Sequence, residues 1–65
     1  MADLEALKLE SRKLNAKATQ AKMDLHDLSE ELPVNWHLIP EVAARAHDAY
    51  RDLVEARKAL AAATP

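Results

Sequence analysis

An all-α fold is what this sequence predicts: an antiparallel two-helix hairpin of coiled-coil type that assembles with itself into a helical bundle. Three observations predict it. Apolar or small residues recur in alternating steps of three and four along two separate stretches, Leu4 to Leu32 and Ile39 to Ala63. Both internal prolines mark the junction, Pro33 directly after the first stretch and Pro40 in the first turn of the second. No Gly interrupts either of them.

The first helix is expected over about residues 3–32. Asp3 stands where an N-cap is needed, and the seam then runs Leu4, Leu7, Ser11, Leu14, Ala18, Ala21, Leu25, Leu28 and Leu32 without a slip. Pro33 ends the pattern, because it lacks a backbone donor and restricts Leu32. A turn over 33–39 follows, with Asn35 expected to cap a short turn through Trp36, His37 and Leu38. The second helix is expected over about 40–63, with Pro40 in its first turn, Glu41 complementing the positive end of the dipole, and Thr64-Pro65 closing the chain. So short a connection forces its helices to lie antiparallel.

Folding the chain about this corner sets residues opposite one another when their numbers sum to about 71, and large then meets small. Leu25 faces Ala46, Ala18 faces Leu53, Leu14 faces Ala56, Ser11 faces Leu60, Leu7 faces Ala63, and Ala21 leaves room near Tyr50. The expected core of the assembly is Leu7, Leu14, Ala18, Ala21, Leu25, Leu28 and Leu32 from the first helix, with Ile39, Val42, Ala46, Leu53 and Leu60 from the second. A single hairpin of this size buries too little to be comfortably stable alone. A second apolar surface is therefore expected, with candidates in the line Leu9, Ala16, Met23, in the corner residues Val34, Trp36 and Leu38, and in Tyr50 with Val54.

Composition narrows the function. With no Cys there is no disulfide and no thiolate metal site, and the cytoplasm is the expected compartment. No run approaches the roughly 20 apolar residues of a membrane span, and the start Met1-Ala2-Asp3-Leu4-Glu5 is acidic where a signal peptide would be basic. Absence of Gly excludes phosphate-cradling loops. The net charge of -2 argues against nucleic acid as a partner, although Lys8, Arg12, Lys13, Lys17 and Lys22 precede an acidic segment of Asp24, Asp27, Glu30 and Glu31.

Catalysis finds little support. Ser11 is a small seam residue, Ser29 lies near a helix end, and neither has a histidine placed as its base. His26 and Glu30 have the four-residue spacing that sets two donors on one helical face, so His26 is the candidate ligand for a divalent transition metal. One hairpin supplies too few donors for a structural zinc site, and a solvated ion pair is the simpler expectation for His26. Trp36 is expected either to fold with Val34 and Leu38 over Leu32 and Ile39 as a plug, or to protrude as an interface anchor.

The run from Lys13 to Leu28, with Met23-Asp24-Leu25-His26-Asp27-Leu28 at its end, then Leu32-Pro33, Trp36 and Ile39-Pro40-Glu41-Val42-Ala43, resembles a Rop-like family of small helical hairpins of unknown function encoded with nitrogen-fixation genes. The resemblance spans about residues 4–60. It implies self-assembling hairpins, a metalloprotein label, and a nitrogenase-associated factor that binds the molybdenum-iron component. Carried onto this chain, it makes Met23, His26 and Asp27 of the signature, with Trp36 and His37 of the corner, the expected partner-binding residues. His37 and His47 fall outside the motif's own histidine. RNA binding, which the Rop name suggests, is disfavoured by net acidity and by the lack of an aromatic-lined basic face in the sequence.

Overall fold

The computed structural model describes residues 3–64, an antiparallel hairpin with axial extents of 48 × 14 × 13 Å. Helix α1 covers Leu4–Glu31, one 3-10 turn covers Trp36–Leu38, and helix α2 covers Ile39–Ala63. No strand occurs among the described residues. Pro65, expected to close the chain, and Met1 and Ala2 lie outside them.

Asp3 caps α1: its backbone is extended (φ -82°, ψ 117°) and its carboxylate accepts from the Glu5 amide at 3.0 Å. At the other end Leu32 leaves the helix with φ -56° and ψ 141°, the extended geometry that a following proline favours. The amides of Val34, Trp36 and Leu38 then donate to the carbonyls of Glu31, Pro33 and Asn35 at 2.9, 3.2 and 2.9 Å, so backbone bonds carry the chain round the corner.

Asn35 takes the N-cap position of the 3-10 turn, as expected, and does so through its backbone. Its side chain makes no capping bond; instead its backbone sits in the left-handed region (φ 58°, ψ 26°), which Asn enters more readily than most residues. Helix α2 begins one residue earlier than expected, at Ile39, because the 3-10 turn runs straight into it. Pro40 occupies its first turn, and Thr64 ends the described chain with both its amide and its hydroxyl on the Leu60 carbonyl, at 3.0 and 2.8 Å.

The core lies midway along the hairpin. Ala18, Ala49 and Leu53 are sealed there, with Leu14 and Ala21 packed against them. Leu28, Val42 and Ala46 are also buried, and every buried residue is a seam position. Leu4, Leu7, Ser11, Leu25, Ala56 and Leu60 are half-buried along the same line. The expected register is visible in the Ala18–Leu53 cluster and in a hydrogen bond from Arg57 to the Asn15 side chain at 3.1 Å.

Leu32 and Ile39, expected in the core of the assembly, are 40% and 39% exposed on the single hairpin. The cause is local: α1 has stopped before Leu32, and beyond Leu28 and Val42 no third element covers the corner. Ala63, at the opposite end, is exposed too.

Candidate functional site

The corner is the most apolar exposed part of the hairpin. From Leu32 to Pro40 there is no Asp, Glu, Lys or Arg, and Leu32, Val34, Trp36 and Ile39 all present open surface. Trp36 is 66% exposed on the single hairpin, so within one chain its ring is not buried over Leu32 and Ile39. Its ring meets His37 edge-on, with centroids 6.2 Å apart and planes at 86°. A rigid turn thus presents a large aromatic outward, held by backbone bonds on either side of it.

The Met23–Leu28 signature divides between two directions. Leu25 and Leu28 turn into the seam, whereas Met23, Asp24, His26 and Asp27 face out. Met23 is half-exposed and, by its spacing, continues the line of Leu9 and Ala16 opposite the seam. Asp24 Oδ1 accepts from the Gln20 side-chain Nε2 at 2.9 Å. His26 Nε2 lies 2.8 Å from Glu30 Oε1, the expected four-residue pair, in open solvent. Ser29 donates its hydroxyl to the His26 carbonyl at 2.7 Å and so serves the helix.

For a metal, the His26–Glu30 pair offers two donors. Among the described residues no three His, Asp or Glu side chains converge, while structural zinc sites use four protein ligands. His47 pairs instead with its neighbour Asp48, Nδ1 to Oδ1 at 3.1 Å. The donor set on one hairpin does not fit a structural metal.

The two flanks of the hairpin are unlike each other. One carries an open groove of about 500 Å³ floored by Ala21 and Ala49, with Lys17 and Asp24 on one wall and Arg45 and Asp52 on the other. Its walls carry both signs of charge. Nearby, Arg51 reaches Asp48 at 3.3 Å and Asp52 at 3.2 Å, and these two carboxylates, Asp52 foremost through its hydrogen bond, hold the guanidinium pKa above its usual value.

The other flank is marked by the Arg57–Asn15 bond and by Tyr50 and Val54, both exposed beside His47. Lys8, Arg12 and Lys22 follow the α1 side of this flank at helical spacing. Reading the chain linearly hides this surface, because its aromatic residue and most of its cations come from different helices. The available signal was the heptad position: Lys8, Asn15 and Lys22 form one row, Tyr50 and Arg57 another.

Comparison with known proteins agrees with the hairpin and adds context. Residues 2–65 match the Rop-like family. A UPF0437 protein of Azorhizobium caulinodans is 53% identical over 60 residues, covering 92% of this chain and 87% of that one. A UPF0437 protein of Frankia alni, described as lying in the nifX-nifW intergenic region, is 47% identical over 51 residues, or 78% of this chain and 62% of that one. Among solved structures, an NMR structure of a structural-genomics target superposes with a TM-score of 0.85 at 52% identity, covering 95% of this chain and 87% of its own. Matching over nearly its whole length in sequence and in fold, the chain belongs to the Rop-like family of helical hairpins.

Proposed function

We propose that this protein is a non-enzymatic binding factor of the nitrogen-fixation system, acting in the cytoplasm by docking on the molybdenum-iron component of nitrogenase as a self-associated helical bundle. The observation that carries the reading is the corner: four large apolar side chains, Leu32, Val34, Trp36 and Ile39, left open on a charge-free turn. Exposed apolar clusters of this kind are characteristic of protein–protein contact, and Trp is enriched among residues that dominate such contacts. The Frankia relative's place between nifX and nifW supports the choice of partner. Met23, His26, Asp27, Trp36 and His37 are the residues proposed to meet it.

Self-association is supported by the groove over Ala21 and Ala49, whose walls alternate in sign between Lys17 and Asp24 and between Arg45 and Asp52. A two-fold contact sets a surface against its own copy, so it needs both charges on one face. The direct test is retention of purified molybdenum-iron protein on the immobilised chain. Retention that Trp36→Ala weakens by about 2 kcal/mol supports the reading, and no retention by the unaltered chain contradicts it. A metal-binding role is the second reading, favoured only by the His26–Glu30 pair. Calorimetric titration with nickel or zinc is expected to show no saturable site tighter than about millimolar.

A further inference from the structure

The flank opposite the groove carries more cations than carboxylates. The Arg57–Asn15 hydrogen bond shows which rows of the two helices adjoin there. Seven residues further along α1 and seven back along α2, the same register brings Lys22 to Tyr50. Lys8 precedes Asn15 by an equal step, and Arg12 lies one turn beyond Lys8. Two carboxylates border these cations: Glu5, 3.7 Å from Lys8 at the open end of the hairpin, and Glu55, which lines the same hollow as Tyr50 and Val54 together with Lys58. Arg12 and Lys22 make no ion pair with any described residue. Beside the cations, Tyr50 and Val54 leave apolar surface open one turn apart.

We propose that this flank, Lys8, Arg12 and Lys22 of α1 with Tyr50, Val54 and Arg57 of α2, docks an acidic protein surface that bears an apolar spot. The inference rests on reading the chain as a docking protein and adds to the corner a second contact surface and the charge of what that surface meets. A second copy is a poor occupant, since a two-fold contact through this flank sets Lys22 and Arg57 against their own equivalents. Nucleic acid fits less well than protein. Tyr50 is only 37% exposed, which leaves little ring face for a base, Val54 offers nothing to a phosphate, and the chain as a whole carries a charge of -2. Cations around an apolar centre match a protein partner, where rim charges steer the approach and the apolar contact holds it.

The test compares two sets of charge changes on the full chain, both at exposed positions and both checked for helicity. Arg12→Glu with Lys22→Glu alters this flank; Lys13→Glu with Ala6→Glu and Ala59→Glu makes the same net charge change at residues that line neither this flank nor the groove. Surface plasmon resonance on immobilised molybdenum-iron protein is expected to show binding at least about ten-fold weaker, and less salt-sensitive, for the first set, with less than about two-fold loss for the second. Equal losses would overturn the assignment of the face while leaving docking on nitrogenase standing. If the unaltered chain does not bind that protein, the choice of nitrogenase fails and the flank is tested separately by NMR titration of the labelled chain with a glutamate–tyrosine copolymer. Shifts gathered on Lys8, Arg12, Lys22, Tyr50, Val54 and Arg57 support the proposal, and scattered or absent shifts overturn it. A structured RNA that displaces the copolymer at lower concentration would overturn the protein partner, and loss of self-association in the first pair would make the flank a self-interface instead.

Discussion

Leu53 and Trp36 mark two regions of one hairpin that treat apolar residues in opposite ways. Around Leu53, which is 2% exposed, both helices continue in each direction, and Ala18 and Ala49 let them approach closely enough to seal the seam. Around Trp36 the helices have ended, and Val34, Leu32 and Ile39 stay open although they are as apolar as anything in the seam. Hydrophobicity alone therefore does not decide burial here; a facing helix does. Where no facing element exists, apolar surface remains available to another molecule.

Substitutions in the two regions should accordingly differ in what they damage. Leu53→Ala has the largest expected effect: it removes the largest well-sealed side chain at mid-seam and should cost about 2 to 5 kcal/mol, read as a collapse of the thermal transition followed by circular dichroism. A loss under about 1 kcal/mol would mean that the middle is no better sealed than the corner. Ala18→Leu should come next, since Ala18 has no exposed surface and added volume must push the helices apart, at about 1 to 3 kcal/mol. Ala21→Leu sharpens the contrast, because Ala21 floors the open groove. It should be milder in the melt and should shift the oligomeric state, as seen by sedimentation velocity.

Trp36→Ala should leave the melting temperature within a few degrees while lowering retention of the molybdenum-iron protein. Since about 1 kcal/mol moves the transition of a domain this small by roughly 4 to 8 °C, a larger drop would show that the corner contributes to folding after all. Smallest of all is His26→Ala. It removes one exposed contact to Glu30, so the melting temperature should move by no more than about 2 °C; unfolding would contradict the placement of His26 on the surface.

Much of the fold was legible because helix periodicity and its punctuation are local. Asp3, Pro33 and Pro40 stand at the ends where their backbone chemistry is useful, and the steps of three and four name every buried residue. What escaped is what depends on packing across elements. Leu32 and Ile39 continue the pattern in sequence, yet on the single hairpin they lie past the last facing turn and stay open. Asn35 was placed at the cap of the turn, but its left-handed backbone shows only in the structure. The His26–Glu30 pair follows from spacing within one helix. The cationic flank around Tyr50 does not, because it exists only once the register of Asn15 and Arg57 is fixed.

The central claim is that one hairpin leaves apolar surface which a second molecule must cover, and sedimentation equilibrium of the unaltered chain, with helicity measured on the same samples, tests it most directly. At micromolar concentration the account predicts a species of at least twice the chain mass, with helicity falling on dilution as the assembly separates. A fully helical monomer whose melting temperature is independent of concentration would contradict it.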